Sequence, residues 1–382
     1  MVSPIGIRNF DYVEFYVGSA RMYAYWFVKA LGFKIIAYKG PENKSKDIVS
    51  YVVKKGQIKF ILTSALQPSA YEVNAFVTQH GTGVRRFAFE VDDVDIAFKY
   101  STIEKSVPVQ YPQKLEDDLG YVTQASVGVF DDSELFFVNY DHYHGFFMPG
   151  YGQPVHVYQV QCEETHLLAI DHIVGNVREN EMNRWVDFFI KALDFKLILS
   201  FALGDIETKY TALLSKVVTS PNDVIKIPIN EPTAGLKKSQ IDEYLEEYHG
   251  TGIQHIALAT DNIIDAIKGM RANGVEFISI PDTYYDLLKE KLAKLPKEKQ
   301  IDEDIEELKR LGILCDFEET GYLLQLFTKP IGDRPTLFFE IIQRKKGAKA
   351  FGHGNFQALF EAIERDQILR GDLVNRKNRS KI

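Results

Sequence analysis

Short apolar runs with strand-like alternation, separated by turn residues, recur along the chain, and they recur in one order. The first, Phe10-Asp11-Tyr12-Val13-Glu14-Phe15-Tyr16-Val17, is aromatic and β-branched and predicts a strand. Residues 19–31 predict a helix that stops at Gly32. Short strands are expected at 34–38, 48–53 and 58–63. A glycine-rich turn, His80-Gly81-Thr82-Gly83, leads into Val84 to Val91. A helix-like stretch from Asp93 to Ser101 follows, and further strands end at Leu135-Phe136-Phe137-Val138-Asn139-Tyr140. One strand–helix–strands unit therefore occurs twice.

Residues 148–167 interrupt the pattern. Met148-Pro149-Gly150-Tyr151-Gly152-Gln153-Pro154 cannot propagate a helix or a central strand, so a domain boundary is expected here, giving domains 1–150 and 151–382. Beyond it the same order restarts. Ile170-Asp171-His172-Ile173-Val174 opens a strand, and residues 181–193 predict a helix. His249-Gly250-Thr251-Gly252 repeats the earlier glycine-rich turn, and Leu337-Phe338-Phe339-Glu340 aligns with Leu135-Phe136-Phe137-Val138. The chain is a two-fold duplication of a double unit.

The duplication points at a site. In the second half its three anchors carry His172, His255 and Glu340; in the first half they carry Tyr12, Arg86 and Val138. Glu340 stands in the apolar strand expected within residues 332–344, where an ionised carboxylate is costly unless it is paired or binds a metal. Either histidine alone reads as an ordinary structural residue. Two neutral imidazoles and one carboxylate at matching anchors suit non-haem Fe(II) oxygen chemistry, and the first half offers no such set.

Composition removes other classes. The 382 residues, 45% hydrophobic and 26% charged, describe a globular chain long enough for two domains. A net charge of -8 gives nucleic-acid binding no support. No run of about 18 apolar residues predicts a membrane span, and the first residues do not read as a signal peptide. Two cysteines, Cys162 and Cys315, fit a reducing, cytoplasmic setting and exclude a Cys-rich zinc site.

Several runs carry a family resemblance. They are Ile170-Asp171-His172-Ile173-Val174-Gly175-Asn176, Pro228-Ile229-Asn230-Glu231-Pro232, Lys237-Lys238-Ser239-Gln240-Ile241, and Gly252-Ile253-Gln254-His255-Ile256-Ala257-Leu258. Residues Gly321 to Pro330, Asp333 to Glu340 and Phe351-Gly352-His353-Gly354-Asn355-Phe356 continue them. The chain resembles the 4-hydroxyphenylpyruvate dioxygenases of the vicinal-oxygen-chelate fold. The resemblance implies an α+β fold: two domains of duplicated βαβββ modules forming open barrels, with a C-terminal lid helix. It implies Fe(II) on His172, His255 and Glu340. It assigns catalytic positions to Gln254, Asn230, Ser215, Gln325 and Phe338. It assigns substrate contacts to Gln240, Phe327, Phe351, Asn355, Phe356, Leu359 and Pro228. The implied reaction converts 4-hydroxyphenylpyruvate and O2 to homogentisate and CO2 in tyrosine catabolism, in a homo-oligomer (dimer or tetramer). His353 departs from the family pattern and reads as surface variation.

The lid is expected at 355–371. Asn355 suits an N-cap, Phe356, Leu359, Phe360 and Ile363 fall on one helical face, and Gly371 marks the stop. Two alternatives stay open: a 4-hydroxymandelate synthase acting on the same substrate, and a metal-free small-molecule binding protein of the same fold.

Overall fold

The computed structural model describes residues 3–103, 106–201, 213–233, 238–296, 299–318, 320–349, 351–355 and 358. The first half runs β1 (Ile7–Tyr16), α1 (Ala20–Leu31), β2 (Lys34–Lys39), β3 (Ile48–Lys55) and β4 (Ile58–Ala65). After α2 (Tyr71–His80) it continues with β5 (Gly83–Val91), α3 (Val94–Ile103), β6 (Pro108–Asp117), β7 (Gly120–Val129) and β8 (Ser133–Tyr143). The second half repeats this: β9 (Leu167–Asn176), α4 (Met182–Leu193), β10 (Lys196–Phe201), β11 (Leu213–Thr219) and β12 (Lys226–Pro232). Then come α5 (Gln240–Tyr248), β13 (Gly252–Thr260), α6 (Ile263–Ala272), β14 (Leu314–Phe317), β15 (Tyr322–Phe327) and β16 (Phe338–Lys345). Two helices absent from the first half, α7 (Asp282–Lys294) and α8 (Ile305–Leu311), are inserted before β14.

Each half forms one eight-stranded sheet, ordered β2-β3-β4-β1-β5-β8-β7-β6 and β10-β11-β12-β9-β13-β16-β15-β14. The orders are identical under the duplication, so the expected α+β fold of paired βαβββ modules is what the chain adopts. The first helix of each half buries one stripe: Ala20, Ala24, Phe27, Ala30 and Leu31 in α1, and Met182, Trp185, Val186, Phe189, Ala192 and Leu193 in α4. Both end in a left-handed residue, Gly32 (φ 71) and Asp194 (φ 58), which are residue types that tolerate that conformation.

Strand pairing corrects one alignment. Arg86 pairs with Glu134 and Ala88 with Phe136, whereas His255 pairs with Phe338 and Ala257 with Glu340. The residue in Glu340's place is therefore Phe136, not Val138. A slip of two residues keeps every side chain on its own face, so the apolar pattern cannot detect it.

The halves share an aromatic seam. Phe339 of β16 packs against Phe15, Phe27 and Phe60 of the first half, with ring centroids 6.5, 5.8 and 5.8 Å apart. Arg334 donates to the carbonyls of Thr78, Gln79 and Glu247, satisfying the C-terminal ends of α2 and α5 together. Between β8 and β9 the chain forms no helix or strand beyond an isolated bridge from Tyr38 to Gly152. The segment after β8 folds back over its own sheet, bringing Phe147 edge-on to Tyr12, with centroids 5.7 Å apart. After β16 the same happens: Phe351 stands edge-on to His172, with centroids 5.2 Å apart. The helix expected at 355–371 lies outside the described residues apart from Asn355 and Ala358. None of the described helices is long and apolar enough to cross a membrane. Cys162 and Cys315 are free thiols.

Because Phe339 serves both halves, Phe339→Ala should cost about 3–5 kcal/mol, as other buried Phe→Ala changes do. Denaturant unfolding followed by near- and far-ultraviolet dichroism checks this. The two halves should still unfold together, at a lower midpoint.

Candidate metal centre

Strand alternation sets the site. On β16, Phe339 points into the seam, so Phe338 and Glu340 point the other way, onto the concave face of the second sheet. His172 on β9 and His255 on β13 face the same space, because β9, β13 and β16 are adjacent strands. The His172 and His255 Nε2 atoms lie 3.3 and 3.6 Å from one Glu340 oxygen, Oε2. Three ligand atoms, one from each residue, fall within 4.8 Å of one another, and all three residues are buried. Glu340 Oε1 is itself buried and has no hydrogen-bond partner among the described residues. A buried carboxylate with one oxygen facing two imidazole nitrogens and the other without a partner fits a divalent cation of nitrogen and oxygen preference, and Fe(II) is one.

Each imidazole is oriented by the residue before it in sequence. Asp171 Oδ1 faces His172 Nδ1 at 2.8 Å, and Gln254 Oε1 faces His255 Nδ1 at 3.0 Å. Both contacts put the imidazole proton on Nδ1 and leave Nε2 free for a metal. Burial pushes both imidazoles toward the neutral form. At His172 the Glu340 and Asp171 carboxylates outweigh it and hold the group above its ordinary value; at His255 burial prevails and holds it below. Burial also opposes ionisation of Glu340, but the His172 and His255 rings prevail and hold its carboxyl below the usual range.

A small cavity opens onto the triad. Val174, Phe201, Ser215, Val217, Pro228, Asn230, Phe327 and Phe351 line it with the three ligands. Its walls are apolar except for two neutral polar groups, Ser215 and Asn230, which stand opposite one another in the β11–β12 register.

The chain is similar to known proteins. The model for "Hydroxyphenylpyruvate dioxygenase, HPPD, N-terminal" matches residues 1–149, and that for the "Glyoxalase/Bleomycin resistance protein/Dioxygenase superfamily" matches residues 169–292. A 4-hydroxyphenylpyruvate dioxygenase of Yarrowia lipolytica is 45% identical over 376 residues, covering 96% of this chain and 94% of the relative. One of Danio rerio is 45% identical over 371 residues, covering 96% and 92%. The chain belongs to the 4-hydroxyphenylpyruvate dioxygenase family. Among solved structures, a triple mutant of 4-hydroxymandelate synthase from Streptomyces coelicolor superposes with a TM-score of 0.81 at 28% identity, covering 95% of this chain and 99% of that one.

Within this family member the expected site residues fall into three groups. Ser215, Pro228, Asn230, Phe327 and Phe351 line the cavity. Phe338 and Gln254 touch the ligand His255 instead: Phe338 stacks on its ring at 4.8 Å, and Gln254 holds its Nδ1. Gln240, Gln325 and Asn355 are buried but stand away from the cavity wall. Gln240 sits in the first turn of α5, whose N-cap is Ser239. Gln325 packs its amide against Gly352, where an added Cβ would lie 2.2 Å from Oε1. Asn355 accepts from the Tyr284 hydroxyl at 2.7 Å. Phe356 and Leu359 lie outside the described residues. The sequence reading passed over Val174, Val217 and Phe201. The first two follow from alternation, two residues from His172 and Ser215, while Phe201 is found only through its pairing with Ser215.

His172→Ala, His255→Ala and Glu340→Ala should each abolish Fe(II) uptake by the apoprotein. Tyr12→Ala and Arg86→Ala should leave one iron per chain, measured by anaerobic titration with elemental analysis. Protons compete with iron for His172. Since its folded value is raised above the ordinary 6.5, Fe(II) affinity should already weaken as pH falls toward neutrality. An affinity flat from pH 8 to 6 would remove His172 from the ligand set.

Proposed function

We propose that this chain is the dioxygenase of tyrosine catabolism that converts 4-hydroxyphenylpyruvate and O2 to homogentisate and CO2. The observation that carries the reading is the buried 2-His-1-carboxylate set facing an apolar cavity with neutral polar groups on its wall. When bound, Fe(II) supplies open coordination positions and the one-electron chemistry that O2 requires.

The chain's own residues supply the rest. Two neutral imidazoles and one carboxylate leave a divalent ion with a net charge of about +1, which attracts a 2-oxo carboxylate without a cavity arginine. Phe327 and Phe351 flank the place where the substrate ring would sit, and their faces suit stacking. Ser215 and Asn230 suit the phenol hydroxyl. Phe338, flat against His255 and edge-on to Phe327 at 6.2 Å, keeps ligand and ring wall in fixed relation. Gln254 and Gln325 act by orientation: the first holds His255, and the second seats the chain at Gly352. In this reading residues 1–150 form a degenerate domain without a metal, residues 151–382 form the catalytic domain, and the stretch from Asn355 is its lid. Phe351 against His172 supports the lid, since it anchors the chain leading into it. Apolar side chains exposed along β6, Val109 and Tyr111 among them, support assembly as a homo-oligomer.

A second reading, 4-hydroxymandelate synthase, is favoured by the structural match to that enzyme. The more similar relatives, at 45% identity, favour the dioxygenase. The two outcomes differ in whether the ring or the benzylic carbon is oxidised, so ring position decides. Purified enzyme with Fe(II), 4-hydroxyphenylpyruvate and O2 should give homogentisate by chromatography and mass spectrometry; 4-hydroxymandelate as the main product would overturn the proposal. Phe338→Val should release the ring wall and yield detectable 4-hydroxymandelate or another misdirected product, because about 1.4 kcal/mol shifts a product ratio tenfold. Its iron content should stay at the wild-type level. A slower variant with an unchanged product would make Phe338 a packing residue only.

A further inference from the structure

The aspartate before the anchor residue is present in both halves: Asp11 before Tyr12, and Asp171 before His172. Asp11 is buried and Asp171 partly buried, and both are tied to the equivalent position on the last strand of their half, four residues beyond Phe136 in β8 and four beyond Glu340 in β16. The partners differ. In the first half Tyr140 donates one hydrogen bond to Asp11, at 2.6 Å, and Lys59 pairs with the same carboxylate. In the second half Arg344 donates two, Nε to Asp171 Oδ2 at 2.8 Å and Nη2 to Oδ1 at 2.7 Å. In the first half a tyrosine and a lysine together tie the aspartate, and no arginine takes part.

What the second half adds is a metal ligand. Asp171 Oδ1 also faces His172 Nδ1 at 2.8 Å, so one oxygen serves both the guanidinium and the imidazole. A carboxylate held by a single hydrogen bond still pivots; two parallel bonds to a planar guanidinium fix its plane. His255 has no such arrangement, its Nδ1 facing only the neutral amide oxygen of Gln254. The Phe351 ring closes the cluster, with the Arg344 guanidinium 5.5 Å from its centroid and the His172 ring edge-on to it.

We propose that Arg344 is a positioning residue of the metal centre: its bidentate pair with Asp171 fixes the plane and tautomer of His172 and so presents Nε2 to the metal. The proposal rests on the metal-site reading above. It gives the two imidazoles different roles, one held rigidly by an ionic pair and one held by an amide.

The test is anaerobic Fe(II) titration of apoprotein for wild type, Arg344→Tyr and Asp171→Asn, with denaturant unfolding of each apoprotein alongside. Arg344→Tyr installs the residue type that the first half uses, and Asp171→Asn keeps an oxygen facing Nδ1 while breaking the ionic pair. Both should bind Fe(II) roughly 10–100-fold more weakly, the range seen when partners of metal-ligating histidines are removed. The apoprotein unfolding midpoint of Arg344→Tyr should stay near wild type. With Co(II) as probe, both variants should shift the visible absorption bands, which a purely structural role would leave in place. If wild type takes up no Fe(II), the metal reading itself fails. If wild type binds and both variants bind equally with unchanged Co(II) spectra, the proposal alone is overturned. Should Arg344→Tyr not fold, Asp171→Asn decides by the same two readings.

Discussion

A carboxylate buried in the middle of an apolar strand is the constraint on which the site depends. Phe339 and Ile341 are buried on one side of β16, and Phe338, Glu340 and Ile342 on the other, so the strand is covered on two sides. Ionised and alone, Glu340 would cost several kcal/mol. One of its oxygens lies against two imidazoles and the other has no hydrogen-bond partner among the described residues, an arrangement that a cation between the three side chains would complete. Alternation does the placing. The side of β16 that holds Phe339 locks the two halves together, and the side that holds Glu340 faces the cavity. The strand that joins the halves therefore also carries the ligand.

The duplicated half solves the same problem without a metal. Arg86, in the place of His255, pairs with Glu14 at 3.1 Å and with Glu134 at 3.5 Å. Thr63 extends the network by donating to Glu14 at 2.7 Å, and Ser50 joins Thr63. Ser50 and Thr63 pair in register as Ser215 and Asn230 do in the second half. One half thus fills its concave face with buried ion pairs and aromatic rings, and the other keeps it open for a cation and a substrate. Buried ion pairs contribute little net stability. Here they satisfy one another's polar groups across the concave face.

The duplicated order of elements and the ligand set were legible because both are written in the repeat. Tyr12 and Arg86 were matched to His172 and His255 by flanking glycine-rich and strand patterns. The Glu340 match slipped by two because Leu-Phe-Phe recurs in both strands and alternation is blind to even shifts. Helices α2, α5, α6, α7 and α8 were not read. In α7 only Tyr285 and Leu288 are buried, and α5 buries Gln240, Asp242 and Glu243 beside its apolar residues, so neither shows a clear stripe. Cavity lining was legible where it followed a ligand by two residues. It was not where it depends on pairing between strands, as at Phe201, or where a glutamine turns to a ligand or a backbone, as at Gln254 and Gln325. The tie from Arg344 to Asp171 spans 173 residues and leaves no local signal.

The central claim is that one cation sits in the second half, held by these three side chains. Anomalous X-ray diffraction at the iron edge, on crystals grown anaerobically with Fe(II), tests it directly. The expected result is a single strong peak bonded to His172 Nε2, His255 Nε2 and a Glu340 oxygen. A peak beside Arg86 and Glu14, or none within bonding distance of Glu340, would contradict the account.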